Sequence, residues 1–262
     1  MNTLSKLLIT IAVLFSGIIN AQEYTIAVKG AKKAEITNLT GDIKIMGHSG
    51  SDIIVEASDL EAPPERAKGL KPITGGGVDN SGIGLNVTEV GGVISISGAS
   101  KRAADADYVF KIPNSLALKI DYSSPFTSDD VHVENFGGEF EMKALNDGAK
   151  LNKVTGPVFL DLINGDIEIV FENVNQDSPM SIKTINGEVD VTLPAATKAN
   201  LELYSLHGDI YTDLDIEVEK SEEEDSNMRF LGGSSKVNGT LSGGGVNMNI
   251  STINGNLYLR KK

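Results

Sequence analysis

Four carboxylates hold the same place in a phrase that returns along the chain. They are Asp42 in Thr40-Gly41-Asp42-Ile43, Asp166 in Ile163-Asn164-Gly165-Asp166-Ile167, Glu188 in Ile185-Asn186-Gly187-Glu188-Val189 and Asp209 in Leu206-His207-Gly208-Asp209-Ile210. If copies of the phrase stack as neighbouring strands, the acids form a line along one edge, about 5 Å apart. Carboxylates that close repel, and can share a proton or a hard cation; paired acids are also how carbohydrate-cleaving enzymes hold a glycosidic bond. The phrase does not match the Gly-Gly-x-Gly-x-Asp calcium repeat. An acid after a glycine is, in most proteins, a polar corner residue facing water.

The other chemistry-bearing residues are scattered. His48, His132 and His207 lie in different repeats, with none of the close spacings that build a metal site, and His207 stands where the sister phrases carry Asn. No Gly-x-Ser-x-Gly elbow occurs, and Gly233-Ser234-Ser235 lies in a small-residue run. The chain has no cysteine, which excludes disulfides, zinc–thiolate sites and lipoprotein modification. The sequence therefore assigns no catalytic residue, no metal and no cofactor, and reads as a non-enzyme.

The repeat that would position these groups is itself the strongest signal. Gly165, Gly187 and Gly208 are separated by 22 and 21 residues, the spacing of coils in a solenoid. Thr40-Gly41-Asp42-Ile43 and Ile253-Asn254-Gly255-Asn256-Leu257 extend the pattern toward both ends. Asn-Gly between alternating apolar runs also signals a hairpin, but near-constant spacing of whole phrases favours corners, at Gly41, Asn164, Gly165, Asn186, Gly187, Gly208, Asn254 and Gly255. Glycine at these corners is expected to supply positive φ. The expected architecture is all-β: one β-solenoid domain over residues 22–262, of roughly ten coils and on the order of 50 Å long.

Inward sets follow from the alternation: Val158, Leu160 and Leu162; Ile167, Ile169 and Phe171; Val189, Val191 and Leu193; Leu201 and Leu203. A second echo joins Lys111-Ile112-Pro113-Asn114-Ser115-Leu116 to Thr192-Leu193-Pro194-Ala195-Ala196, where a strand stops at proline and another begins; it suggests duplication of a larger unit. Ser58 to Ser81 and Glu217 to Ser235 read as excursions, the second carrying Glu222-Glu223-Glu224-Asp225. Glu61 to Gly69 is the one stretch with a helical turn signal, with Pro63-Pro64 at its start.

Residues 1–21 read as an export signal: Lys6, an apolar run from Leu7 to Ile19, and a small residue, Ala21, before the cut. Its removal takes away one positive charge, from −13 to −14, a surface unsuited to nucleic acid. No later segment is long and apolar enough to span a membrane as a helix. Arg260-Lys261-Lys262, directly after Asn256 to Leu259, reads as a cationic guard on the edge of an outermost coil.

The phrases, apolar-x-Gly-Asp/Glu-apolar-x-apolar with strand-Pro-corner-strand units after a signal peptide, resemble the exported bacterial putative-adhesin family of β-solenoid domains of unknown function. The likeness runs from about Ile36 onward and is best from Leu151 to Leu214. It implies an extracytoplasmic solenoid involved in surface interaction or envelope regulation, and transfers no catalytic residue. Three function classes follow. An exported interaction or scaffold protein with a protein or glycan partner comes first. An envelope-stress accessory that binds a membrane protein and a polysaccharide-active β-helix enzyme are the alternatives.

Overall fold

Alternation of apolar and polar residues makes nearly every segment a strand with one buried side, and proline, glycine and asparagine break the strands into short rungs. The computed structural model describes residues 22–37, 39, 42–62, 64–74, 77–99, 101–104, 106–122, 130–219 and 235–262. The signal-like segment, Gly41 and Glu222 to Asp225 lie outside the described residues.

The described residues open with β1 (Gln22–Ile26), then β2 (Lys33–Thr37), β3 (Ile43–His48) and β4 (Ile53–Ser58). Beyond a 3-10 turn at Glu65–Ala67, directly after Pro64, come the short β5 (Ile73–Thr74) and β6 (Gly77–Val78). β7 (Leu85–Val90) and β8 (Val93–Gly98) form a hairpin that leads to β9 (Asp107–Pro113). Regular coils follow: β10 (Ala117–Tyr122) and β11 (Val131–Glu134), β12 (Phe140–Ala144) and β13 (Ala149–Val154), β14 (Val158–Asn164) and β15 (Ile167–Phe171), β16 (Met180–Asn186) and β17 (Val189–Leu193). Then come β18 (Ala199–Ser205) and β19 (Ile210–Thr212), β20 (Ile216–Val218), β21 (Ser235–Leu241), and last β22 (Val246–Thr252) and β23 (Leu257–Lys261).

Two large sheets enclose one core. Sheet A has ten strands in the order β1-β4-β9-β3-β11-β13-β15-β17-β23-β19, and sheet B eleven in the order β20-β21-β18-β22-β16-β14-β12-β10-β2-β8-β7. Each coil contributes one strand to each sheet, so the strands that flank Asn164-Gly165 lie in different sheets and the pair makes a corner, not a hairpin. The chain is a β-solenoid. Among the described residues eight coils stack in parallel, against the ten expected, and antiparallel strands at the ends bring the sheets to ten and eleven rungs. The predicted inward sets are all buried, in columns such as Met142, Leu160, Ile182, Ile250 and Leu203.

The stacking order departs from the chain order at both ends. β2 and β3 lie between the β8/β9 coil and the β10/β11 coil, and β22 and β23 lie between β16/β17 and β18/β19. The two proline corners are where the chain leaps over these inserted coils: from β9 past β3 to β10, and from β17 past β23 to β18. Each climbs two strand spacings, about 10 Å, where an ordinary corner climbs one. The echo thus marks two skipped rungs. Arg260-Lys261-Lys262 does not guard an outer edge, because β23 is paired on both sides, with β17 and β19.

Candidate interaction surface

Each corner carries columns of like residues at the strand spacing. Asn164 donates through its side-chain amide to the Asn146 side chain (3.0 Å), Asn186 to Asn164 (2.7 Å) and Asn254 to Asn186 (2.6 Å), a four-rung asparagine ladder. Beside it run the glycines. A Cβ added to Gly165 would overlap the Asp147 carbonyl; on Gly187 it would overlap that of Gly165, on Gly255 that of Gly187, and on Gly208 that of Gly255. None of these four glycines has positive φ, so the expected reason for glycine is corrected: the corner needs room for the next coil's backbone.

On the core side, Thr184 donates to the Gly165 carbonyl (3.0 Å), Thr252 to Gly187 (2.9 Å) and Ser205 to Gly255 (2.8 Å). These hydroxyls are buried, and each satisfies a carbonyl that the corner turns away from the ladder. Sequence reasoning missed them, although the signal was present: a hydroxyl three residues before the glycine in three of the phrases.

The structure brings the four carboxylates into one column at the start of the sheet A strands, but with interruptions. Backbone bonds place its positions in the order Asp107, Asp42, Asp130, Gly148, Asp166, Glu188, Asn256 and Asp209. Gly148 separates Asp130 from Asp166, and Asn256 separates Glu188 from Asp209. The side chains cap neighbouring coils: Asp166 accepts from the Glu188 N–H (2.8 Å), Asn256 accepts from the Asp209 N–H (3.0 Å), and the Asn256 amide donates to Glu188 (3.2 Å).

Where Asp107, Asp42 and Asp130 follow one another, they line a shallow groove of about 430 Å³ with Lys44 and His132. Burial, then Asp42 and Asp59, raise the Asp107 carboxyl above its ordinary value. Among the described residues no group of three His, Asp or Glu side chains converges closely enough to hold a cation. The histidines stay apart. His48 closes its own turn, accepting from the Gly50 N–H (2.9 Å), and His132 and His207 are exposed.

At the far end of the sheet A face, the neighbouring column, two residues further along the strands and in register with Asp190, carries aromatic groups. The rings of Tyr211 and Tyr258 stack 5.4 Å apart at 13°, and the Arg260 guanidinium lies 5.4 Å from the Tyr258 ring centre. Asp190 fixes Arg260 through its Nε (2.9 Å to both carboxylate oxygens) and a terminal nitrogen (2.8 Å). The Tyr211 hydroxyl donates to Asp209 (3.2 Å), and the Tyr258 hydroxyl to Glu188 (3.3 Å). Tyr211 remains 50% exposed on the outermost strand of sheet A.

Residues 14–256 match the family model described as Toastrack DUF4097. The chain belongs to the Toastrack family. Two solved structures are similar to it: a putative cell adhesion protein from Clostridium sporogenes ATCC 15579, at 14% identity and a TM-score of 0.45, covering 92% of this chain and 100% of that one; and a putative adhesin from Bacteroides fragilis NCTC 9343, at 12% identity and a TM-score of 0.32, covering 92% and 97%. No curated protein matches the chain. In this Toastrack chain the tyrosine pair was open to sequence reasoning, since Tyr211 and Tyr258 each follow their corner glycine by three residues. That they are neighbours depends on β23 lying beside β19.

Proposed function

We propose that this Toastrack protein is a non-enzymatic interaction and scaffold protein of the bacterial envelope or cell surface, acting in the manner of an adhesin toward a protein or glycan partner. The observation that supports it best is the outward face of sheet A, which ends in the Tyr258 and Tyr211 rings with carboxylate, amide and guanidinium groups around them. Aromatic faces beside planar hydrogen-bonding groups suit sugar rings and extended peptides alike. The export-like segment before Gln22 fits an extracytoplasmic setting.

The test has two arms. Tagged chain from a bacterial culture is fractionated and its mature end read by mass spectrometry, with cleavage after Ala21 expected. The purified protein is then offered a panel of envelope glycans and surface-protein ectodomains. Saturable binding that weakens at least about tenfold in a Tyr211→Ala, Tyr258→Ala double variant supports the proposal. Release of soluble sugar that is lost in Asp166→Asn or Asp209→Asn makes the protein an enzyme instead.

A further inference from the structure

The two ends of the stack differ in charge and in form. At one end the outermost strands are β19 in sheet A and β20 in sheet B. The run Asp209 to Glu219 across them carries five carboxylates and no lysine or arginine. No ion pair among the described residues involves Asp213, Asp215, Glu217 or Glu219, and all four are exposed. Sheet B outruns sheet A here by β21 and β20. Val218 lies on the core-facing side of β20, in register with buried Gly239, yet is 60% exposed, and among the described residues no sheet A strand stands opposite it.

At the other end the outermost strands are β1 in sheet A and β7 in sheet B, and sheet A is the longer. The excursion lies along the open edge of β7, where the Asn80 side-chain amide bonds both the Val87 carbonyl (2.8 Å) and N–H (2.9 Å). Its segment Pro64 to Ile73 carries Arg66, Lys68 and Lys71 against Glu65, flanked in the same excursion by Asp59, Glu61 and Asp79, so the positive charge is confined to this segment; Leu70 and Ile73 in it are exposed at 72% and 75%. Strand direction is compatible as well. β1 and β4 pair antiparallel, as do β4 and β9, so β1 runs in the same sense as β9 and as β19.

We propose that these ends are halves of one self-docking interface, joining copies of the chain head to tail. The acidic end of one copy receives the basic, apolar segment Pro64 to Ile73 of the next, with β1 laid parallel along β19 to continue sheet A. The acidic run facing this basic segment selects the pairing over contact between two acidic ends, where like charges oppose each other. Both halves also hold the exposed aliphatic side chains that a docking contact buries. Such an interface is heterologous and does not close on itself, so it builds open chains rather than a two-fold dimer. It concerns assembly and does not rest on the proposed adhesive role; a failure of either leaves the other standing.

Sedimentation velocity over a concentration series tests it, at about 0.1 M ionic strength, where screening over about 10 Å mutes the net charge of the chain but not the contact. Asp215→Lys with Glu217→Lys reverses the acidic end, and Lys68→Glu with Lys71→Glu the basic end. Each reversed chain alone is expected to associate at least about tenfold more weakly than the parent, while an equimolar mixture of the two regains association. Unchanged melting temperatures show that the exposed substitutions leave the fold intact. A parent chain that stays monomeric throughout, or association indifferent to both reversals, overturns the proposal. So does a monomer whose acidic end binds an oligolysine peptide, which assigns that end to a basic ligand.

Discussion

At the residue scale, the corner glycines are held by backbone proximity. A methyl group at Gly187 meets the Gly165 carbonyl from the coil below, in a corner clamped above by Gly255. Gly187→Ala is expected to lower stability by about 1–3 kcal/mol, the range for overpacking a tight site, read as a lower urea midpoint at an unchanged m-value. An unchanged midpoint would mean that the corner relaxes freely. Tyr122 sets an alkaline limit. Burial, then the Asp147 carboxylate, push its phenol well above the ordinary value near 10, and its hydroxyl has no hydrogen-bond partner among the described residues. Above about pH 10 the unfolded chain gives up this proton while the native state keeps it, so stability falls as pH rises, by up to about 1.4 kcal/mol per unit. Thermal melts from pH 8 to 11 should show a shallower alkaline decline in Tyr122→Phe than in the parent.

At the element scale, edges decide which strands need help. β7 is an outermost strand, and the Asn80 side chain stands in for a partner by bonding both backbone groups of Val87. Asn80→Ala removes two bonds and leaves the edge to solvent. Amide exchange at Val87 is expected to speed up by about tenfold or more, in keeping with roughly 1 kcal/mol per lost bond. Exchange at Ile182, deep in the stack, should be unaffected. Equal acceleration at both positions would show that the edge and the stack open as one unit.

At the scale of the whole molecule, the chain holds itself together by threading. β22 and β23 fill the rung left open by the Pro194 corner and bury Val246, Met248, Ile250, Leu257 and Leu259. At about 1.5–3 kcal/mol each, these side chains are worth as much as the whole net stability of a typical domain. Ending the chain after Leu241 is therefore expected to abolish the cooperative transition, and not merely to trim one coil. A truncated chain with a sharp urea transition would show that β18 and β19 can close onto β16 and β17. The removal of Arg260 to Lys262 also acts inside the stack, since Arg260 grips Asp190, and the Lys262 N–H donates to the Leu193 carbonyl (2.9 Å).

Much of this was legible in the residues alone. The period of the phrase, the inward faces and the corner role of Asn-Gly depend on local alternation and on turn chemistry that each repeat carries within itself. The order of the rungs was not legible. A ladder is made of backbone groups that are alike in every coil, so nothing in Ile253-Asn254-Gly255 tells it to settle on Gly187 and beneath Gly208, and chain order suggested the end of the stack. Proline at residues 113 and 194 marked the places where the path is unusual, yet the leap over a rung exists only once a distant segment has filled the gap. The same holds for the surface. Tyr211 and Tyr258 are 47 residues apart in sequence and become a stacked pair because β23 is inserted beside β19. Sequence determined what each coil is made of; non-local pairing decided which coils meet, and so which side chains stand together on the outer face.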